Sequence, residues 1–438
     1  MSSNSLFLPE RFREVAHYIH THHGKTFVVY LSGNVLSENI TLTALIQDLA
    51  LIHTLGVKLV LVLDLNTLIQ QDAKERDSSL SHDNRLLTHP GSIRQAHNAA
   101  DEMLNNLVAL FDASLVNTPL STIKPKIAFD DFIHIEPPDF RKKKYASHRV
   151  KYSIAKTLIQ RQLVQNDIIV IVPLVSSSTQ QRYLLEGVQV AMHTASVLES
   201  SKLILMLKDF RLEGSTSQGE DHYDIHQARR LADELPGSEL HAKRCLNIAI
   251  QACKENVKRV HLVDAGKPGM LLQELYSLDG AATLVTAQEY DEIRPASCHD
   301  IDGIMKLIQP FIETGALVPR SRRQLESEVS LFDVIERDGV LLTCGTLYTF
   351  PEENAAEVGC LAVHPEYQSI GRGSKMLRHL QDKACKAGFS KLFVLTTQTE
   401  NWFLEQGFIP ADFEELPVKK RSLYDPLRNS KVYFKTIR

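Results

Sequence analysis

The sequence predicts an α/β protein with two domains, and three observations lead to this prediction. The first part of the chain, about 290 residues, alternates short apolar runs with amphipathic stretches, which is typical of a mainly parallel sheet with helices on both faces. A polar stretch at 288–297 contains Pro295 and predicts a linker. The length of 438 residues suits two or three domains at ~150 residues each. We therefore expect domains over residues 1–288 and 289–438.

Apolar runs in the first domain predict buried strands. Between the first two strands, apolar residues at helical spacing predict a helix. The helix is expected at 42–54. The strands are expected at 27–31, 57–65, 167–174, 202–207 and 259–263. The polar stretch 70–97 contains several turn-forming residues and predicts a long surface excursion. His22 and His23 are expected in a turn before the first strand.

The second domain shows a mixed pattern of helices and strands. Helices are expected at 300–314, 373–387 and 401–405 from the spacing of their apolar residues. Strands are expected at 329–337, 340–348, 357–363 and 391–396, the first two joined by a turn at Asp338-Gly339. These elements predict an α/β unit of the size of one domain.

Composition excludes several classes of protein. With 49 Lys+Arg against 53 Asp+Glu the net charge is −4, which disfavours nucleic acid as a partner. No run of about 18 apolar residues predicts a membrane span, and the first residues show no signal-peptide pattern, so we expect a cytoplasmic protein. The 6 cysteines include no C-x-x-C pair, so neither a metal site nor a disulfide is expected.

A glycine-rich turn in the second domain has the features of a phosphate-binding site. The strand at 357–363 runs into His364-Pro365, and Gln368-x-x-Gly371-x-Gly373 then opens a helix. Glycines let a backbone approach a ligand closely, and the free N–H groups of a helix N-terminus bind phosphate. A cofactor with a pyrophosphate is the natural ligand, although such a turn can also be purely structural.

This segment resembles the acetyl-CoA-binding motif of the GCN5-related N-acetyltransferases, and 402–408 resembles their second motif. The resemblance covers roughly the last 150 residues. It implies that acetyl-CoA is bound without a metal. The residues that it assigns to acetyl-CoA are Cys360, Leu361, Ala362 and Val363, whose backbone would pair with the pantetheine arm, and Gln368, Gly371, Arg372 and Gly373 in the turn.

Longer runs narrow the resemblance to the bacterial N-acetylglutamate synthases. Those runs are 317–322, 391–403, 416–424 and 428–431. The resemblance implies transfer of an acetyl group to the α-amino group of L-glutamate, the first step of arginine biosynthesis. It also implies an amino-acid-kinase-like first domain and a homo-oligomer, a hexamer in this family.

The first domain resembles arginine-sensitive acetylglutamate kinases over 18–34 and 269–280. This implies L-arginine as an effector, with Tyr18, Gly269, Gln273 and Glu274 at its site. Phosphoryl transfer needs cations and glycine-rich backbone on the phosphates. Tyr30 replaces the kinase lysine, Ser32 replaces a glycine, and 63–67 contains no glycine. Because Lys243 alone cannot replace these groups, we expect a regulatory and assembly domain.

Two side chains are expected to move protons during acetyl transfer. An α-amino group is mostly protonated at neutral pH and needs a base. Glu357 matches the family's proposed base, although a carboxylate at a strand end can also be merely solvated. The leaving thiolate needs a hydrogen-bond donor, and Phe403 stands where many relatives have a tyrosine. Thr396 is the alternative donor, or is simply a residue that packs well in a strand.

Cations with fork geometry suit the two carboxylates of glutamate. The resemblance assigns them to Arg320, Arg428 and Ser430, while Arg322 and Lys431 remain alternatives. Pro319 replaces a basic residue of some relatives.

Three other functions remain open at this point. The first is acetyl transfer to another amino acid or to a polyamine. The second is a working acetylglutamate kinase, against which the missing lysine and glycines argue. The third is a non-catalytic arginine-sensing protein, against which the intact turn from Gln368 to Gly373 argues.

Overall fold

A computed structural model describes residues 7–65, 90–114, 116, 121, 124–135, 152–176, 182–210, 212, 222–236, 239–277, 280–287, 292–337, 339–368 and 371–437. The chain forms two compact units, Met1–Glu289 and Tyr290–Arg438. No helix in the described ranges has both the length and the apolar character needed to cross a membrane.

The first unit alternates strands with helices. Its described helices are α1 (Phe7–His22), α2 (Gly33–Leu36), α3 (Asn39–Thr54), α4 (Pro90–Ser114), α5 (Lys156–Val164), α6 (Gly187–Val197), α7 (Ile225–Glu234), α8 (Leu240–Lys254) and α9 (Met270–Tyr276). Its described strands are β1 (Thr26–Leu31), β2 (Lys58–Leu63), β3 (Lys126–Ala128), β4 (Ile133–Ile135), β5 (Tyr152–Ile154), β6 (Asp167–Ile171), β7 (Leu174–Ser176), β8 (Arg182–Leu184), β9 (Lys202–Leu207), β10 (His222–Asp224), β11 (Arg259–Asp264) and β12 (Thr283–Thr286).

Eight of these strands form one sheet in the order β10-β12-β11-β9-β1-β2-β6-β3. Among its described pairs, only β11–β12 is antiparallel. Alternate residues of the central strands enter two different cores, with Val28 and Val60 in one and Phe27 and Leu59 in the other. Because successive strand residues point to opposite faces, two cores require cover on both faces of the sheet.

The second unit contains β13 (Glu292–Pro295), α10 (Ile301–Glu313), α11 (Arg322–Glu328), β14 (Phe332–Arg337), β15 (Val340–Phe350), β16 (Ala355–Val363), α12 (Arg372–Lys386), β17 (Lys391–Thr396), α13 (Glu400–Glu405), β18 (Ile409–Ala411), α14 (Val418–Arg421) and β19 (Lys431–Thr436). Its sheet has the order β13-β14-β15-β16-β17-β19-β18. The pair β16–β17 is parallel, and the other described pairs are antiparallel.

The predicted linker at 288–297 is wrong in part, because residues Glu292–Pro295 form strand β13 against β14. A proline lacks the N–H that a central strand needs, but β13 is an edge strand, where Pro295 is tolerated. Arg294 fixes this edge by donating to Asp300 at 2.8 Å and by pairing with Glu336. Residues 288–291 lie outside the described part of the chain.

Several predicted boundaries also shift. Residues 90–97 belong to α4, which begins at Pro90, a residue favoured at a helix start; residues 70–89 of the predicted excursion lie outside the described ranges. The predicted strand at 167–174 ends at Ile171, and Leu174 starts a separate strand. The predicted strand at 329 begins at Phe332, after a 3₁₀ turn. His22 ends α1 and is buried, with its ring on the carbonyl of Leu275.

Candidate active site

Strands β16 and β17 run together for a short distance and then separate. Their parallel ladder has three residue pairs and ends where Glu357 lies opposite Phe393. Beyond that point β16 continues to Val363 against β15, and β17 continues to Thr396 against β19. Among the described strands, none pairs with the β17-facing edge of β16 past Glu357. This edge leaves backbone groups available to an extended ligand.

A β-bulge lies on β16 just beyond this separation. Cys360 and Leu361 lie opposite the single residue Gly345, and Cys360 has a positive φ of 48°. A bulge of this kind bends its strand and redirects the backbone groups around it. A Cβ atom on Gly345 would lie 2.9 Å from Leu380 Cδ1, so α12 packs closely against this point. The bulge therefore determines the direction in which β16 continues toward the start of α12.

The predicted glycine turn opens α12 as expected. Gly371 is the N-cap with φ 81°, and no side chain caps the first N–H groups of the helix. A Cβ atom on Gly373 would lie 3.3 Å from the Trp402 ring. Gln368 Nε2 donates to the carbonyl of Val363 at 3.3 Å and joins the turn to β16. Residues 369–370 lie outside the described ranges.

Arg372 is placed differently from a surface phosphate ligand. Its side chain is buried at 3% exposure, and its guanidinium lies 5.6 Å from the centroid of the Tyr367 ring. An arginine in this position holds the turn from inside through a cation–π contact. Because this side chain is buried, we expect residue 372 to contact a phosphate through its backbone N–H.

Glu357 is a buried carboxylate with one cationic partner in contact. The residue is 6% exposed, and Lys420 Nζ lies 2.7 Å from its Oε1. Burial raises the pKa of Glu357, while the ammonium of Lys420 and, more weakly, the guanidinium of Arg320 oppose that rise. The reading of Glu357 as a solvated strand-end carboxylate does not fit this burial.

Thr396 is the last residue of β17, and its hydroxyl is hydrogen-bonded within the loop that follows. Thr396 Oγ1 lies 2.8 Å from Thr399 Oγ1 and accepts from the backbone N–H of Thr399 at 3.1 Å. Phe403 packs edge-on against Trp402 and Phe408, in the core behind this loop. One hydrogen bond joins the two hydroxyls, and either of them can be its donor. The hydroxyl that accepts keeps its own hydrogen and can donate it to a neighbouring anion.

Arg320 and Arg322 lie in very different surroundings. The Arg320 side chain is 13% exposed, pairs with Glu328 and donates to Tyr348 Oη at 2.8 Å. The Arg322 side chain is 54% exposed and pairs with Asp302 and Glu326. Since Tyr348 lies opposite Glu357 in the β15–β16 ladder, Arg320 is held on the same part of the sheet as Glu357.

Arg428 is hydrogen-bonded to the turn between α10 and α11. This turn lies close in sequence to Arg320. Its Nη2 donates to the carbonyls of Ala316 at 2.6 Å and Gly315 at 3.3 Å. Burial lowers the pKa of Arg428, against the opposing charge of Asp425. Ser430 and Lys431 line a cavity of about 280 Å³. Lys431 is exposed and pairs with Glu400.

In the first unit, the residues assigned to an effector lie on α1 and α9. His22 Nε2 lies 2.8 Å from the carbonyl of Leu275, which joins the helix of Tyr18 to the helix of Gln273 and Glu274. Gly269 is the N-cap of α9 with φ 79°. Gln273 is exposed, whereas Glu274 is buried.

Glu274 belongs to a buried polar cluster. Its Oε2 accepts from the N–H groups of Ala281 at 2.7 Å and Ala282 at 2.9 Å, and Oε1 pairs with His261 Nδ1. Burial opposes ionisation of Glu274, but these hydrogen bonds outweigh it and lower its pKa. Burial also lowers the pKa of His261, to about 4, so its ring is neutral at neutral pH. Lys202 Nζ lies 3.4 Å from the other ring nitrogen.

The loops after β1 and β2, where the resemblance predicts that the phosphate-binding groups of a kinase are absent, carry an acidic side chain. Tyr30 Oη donates to Asp64 Oδ2 at 3.0 Å, and the N–H of Gly33 approaches the same oxygen at 3.4 Å. A carboxylate on this N–H repels phosphate. This arrangement favours the predicted loss of kinase chemistry. Residues 66 and 67 of the second loop lie outside the described ranges.

Sequence reasoning missed three side chains that contact its predicted site. These are Lys420 on Glu357, and Tyr348 and Glu328 on Arg320. Strand pairing of 340–348 with 357–363 could have indicated Tyr348, but no local pattern indicates Lys420. Among the described residues, no group of three or more His, Cys, Asp or Glu side chains is arranged to hold a metal ion.

Comparison with known proteins agrees with this geometry. The acetyltransferase (GNAT) family model matches residues 301–408. The chain is 36% identical over 434 residues to the amino-acid acetyltransferase of Escherichia coli (strain K12), with 97% of each chain covered. It is 34% identical over 440 residues to that of Serratia proteamaculans (strain 568), with 99% of each covered.

Solved structures show the same likeness. N-acetylglutamate synthase from Neisseria gonorrhoeae, complexed with coenzyme A and L-arginine, matches with a TM-score of 0.82 and 29% identity, over 98% of this chain and 99% of that one. The same enzyme complexed with coenzyme A and N-acetyl-glutamate matches with a TM-score of 0.57 and 30% identity, over the same shares of the two chains.

The fold and site thus define an acyltransferase with a GNAT domain after a parallel-sheet domain. More specifically, the chain belongs to the amino-acid acetyltransferase family. The predicted fold class, the predicted enzyme class and the predicted resemblance are confirmed.

The hydrogen bonds from Arg428 to the α10–α11 turn predict that removal of this side chain changes amide exchange in the turn. Arg428→Ala should raise hydrogen-exchange rates in a peptide covering 312–320 by about tenfold, since a hydrogen bond to a charged group contributes ~1.5 kcal/mol. The measurement is exchange followed by mass spectrometry. Arg322→Ala, which removes an exposed arginine near the same turn, should leave the peptide unchanged. Equal exchange rates in wild type, Arg428→Ala and Arg322→Ala would contradict the prediction that Arg428 stabilises this turn.

Proposed function

We propose that this protein is an N-acetylglutamate synthase, which transfers the acetyl group of acetyl-CoA to the α-amino group of L-glutamate. The observation that carries the proposal is the buried carboxylate of Glu357 at the point where β16 and β17 separate, in a chain that matches the family along its whole length. The solved relative complexed with coenzyme A and N-acetyl-glutamate supports the same substrate and product.

Acetyl-CoA fits the unpaired edge of β16 and the start of α12. The backbone of Cys360, Leu361, Ala362 and Val363 would bind the pantetheine arm, and Gln368, Gly371, Arg372 and Gly373 would hold the pyrophosphate, with residue 372 acting through its backbone N–H. An uncapped helix N-terminus favours an anion. A Cβ atom on Gly373 would lie 3.3 Å from the Trp402 ring, so a larger side chain at this turn would require the ring to shift.

In the proposed reaction the neutral amine attacks the thioester carbonyl carbon, a C–N bond forms and the C–S bond breaks. Glu357 accepts the proton lost by the amine, directly or through one water. The backbone N–H groups at the bulge polarise the thioester carbonyl. The departing thiolate receives its hydrogen bond from Thr396, whose hydroxyl is paired with that of Thr399.

Arg320, Arg428 and Ser430 are proposed to bind the carboxylates of the acceptor. The half-buried position of Arg320, fixed by Tyr348 and Glu328, favours it over the exposed Arg322. Likewise Arg428, with its bonds to Gly315 and Ala316, is better fixed than Lys431. Fork geometry and a preorganised side chain both favour carboxylate binding.

The first unit is proposed to act as a regulatory domain that binds L-arginine through Tyr18, Gly269, Gln273 and Glu274. The buried, ionised Glu274 has three donors in the protein, and its two oxygens can accept a further hydrogen bond, so a guanidinium would find a charged acceptor there. The relative complexed with L-arginine supports this proposal. Assembly as a homo-oligomer, a hexamer by resemblance, and a cytoplasmic location remain predictions.

Replacing the proposed base tests the reaction. Glu357→Gln keeps the shape of the side chain but cannot accept a proton, so kcat with L-glutamate should fall about 10²-fold or more, while acetyl-CoA binding persists. Thiol release from acetyl-CoA measures the turnover. Wild type should show no comparable turnover with other amino acids or polyamines. Saturable acetyl-CoA binding without glutamate-dependent turnover would refute the substrate, and an active Glu357→Gln variant would refute the base.

The choice between the two arginines predicts a split in kinetic constants. Arg320→Lys removes the guanidinium fork and should raise KM for L-glutamate about tenfold or more, with KM for acetyl-CoA unchanged. Arg322→Lys is the matched control and should resemble wild type. If Arg322→Lys alone raises KM for L-glutamate, the assignment is reversed.

The effector proposal predicts a selective loss of inhibition. Glu274→Gln removes the negative charge and should weaken inhibition by L-arginine about tenfold or more, without lowering turnover in its absence. Glu234→Gln, an exposed change in the same unit, is the control. Thermal unfolding of both variants checks that the buried cluster persists. Unchanged inhibition in a folded Glu274→Gln protein would exclude Glu274 from the site.

A further inference from the structure

The contact between Glu357 and Lys420 leads to an inference that rests on the proposed role of Glu357 as the base. Lys420 Nζ lies 2.7 Å from Glu357 Oε1, and the two side chains are 24% and 7% exposed. The other oxygen, Oε2, has no donor among the described residues. One oxygen of the carboxylate is therefore held, and the other is available to a proton.

The segment that carries Lys420 is fixed on both sides. The N–H of Val418, at the start of α14, donates to Glu353 Oε1 at 2.9 Å. Leu416, just before α14, is 2% exposed and packs in one apolar cluster with Ala355 and Phe393. These contacts attach α14 to the beginning of β16. Lys420 is thus presented to Glu357 by ordered backbone, so forming the pair costs less side-chain entropy than it would on a free surface.

Other ionisable groups near Glu357 are engaged elsewhere. Tyr348 lies opposite it on β15 and donates to Glu328, while Arg320 pairs with Glu328 and donates to Tyr348. On the other side, β17 places the uncharged Phe393 opposite it. Lys420 is therefore the cation in direct contact with the carboxylate, and Arg320 acts from farther away.

We propose that Lys420 is a positioning residue for Glu357: its ammonium fixes one carboxylate oxygen and keeps the buried group ionised, so that the second oxygen can accept the proton of the amine. A buried carboxylate that loses its counter-charge takes up a proton in preference to remaining charged. Once protonated, Glu357 could no longer act as the base.

The expected pH dependence follows from the sign of these effects. Burial raises the pKa of Glu357 and Lys420 partly offsets the rise. As the pH falls through this pKa the carboxylate is protonated and turnover is lost. Without Lys420 the pKa is higher, so the same loss should occur at higher pH.

The test compares Lys420→Met with Lys420→Arg and with Lys419→Met. Lys419 lies on the same helix, is 75% exposed and faces Glu352 at 3.8 Å, so it is a matched control. The Glu357 carboxyl is titrated by ¹³C NMR, with its signal assigned from Glu357→Gln, and kcat for glutamate acetylation is followed against pH. Lys420→Met should raise the titration midpoint and the acid limb of kcat by about one pH unit or more.

Lys420→Arg should retain the wild-type midpoint because it retains the charge, and Lys419→Met should match wild type. An unmoved midpoint in Lys420→Met would overturn the proposal. A higher KM for L-glutamate without a shift in the pH profile would also overturn it, since Lys420 would then bind the acceptor. Lys420→Gln replaces Lys420→Met if the latter does not fold. Absence of glutamate turnover in wild type would refute the proposed function, while the NMR titration would still decide the effect of Lys420.

Discussion

Strands β16 and β17 separate after the Glu357–Phe393 pair, and the geometry of the second unit is arranged around that separation. The bulge at Cys360 bends β16 where its β17-facing edge has no strand partner among the described residues. Close packing of Gly345 against Leu380 places α12 beneath the bulge. A sheet that continued its ladder would satisfy these backbone groups internally. Because it does not, these backbone groups are available to an extended ligand.

The same separation determines where charge can be buried. Glu357 is the last β16 residue in the ladder, so strands flank it on both sides, and the residue is buried. Burial alone would neutralise a carboxyl group there. Lys420 contacts this carboxylate directly, whereas Arg320 acts on it from farther away, and each cation is fixed by its own contacts. The cost of burying the Glu357 carboxylate is thus partly offset by two cations that the fold holds in place.

Two buried carboxylates in the first unit bear on which ligands it would favour. Asp64 lies on the N–H of Gly33, so its carboxylate disfavours a second anion at this loop. The buried Glu274 is kept ionised by His261 and by the N–H groups of Ala281 and Ala282, which suits a cation. Both groups are carboxylates, so each disfavours an anion such as phosphate and favours a cation, which agrees with the proposed regulatory role.

The sequence by itself determined the alternation of strands and helices, the glycine turn at Gly371 and the family, because periodicity and motifs depend on neighbours along the chain. It also indicated Arg320, through the matching run 317–322, and Glu357, through its match to the position of the family's proposed base. Only the tertiary structure decided that residues 292–295 form an edge strand. It also decided that Arg428 donates hydrogen bonds to the carbonyls of Gly315 and Ala316, and that Lys420 contacts Glu357. Such contacts join residues far apart in the chain, and local spacing carries no information about which of them the fold brings together.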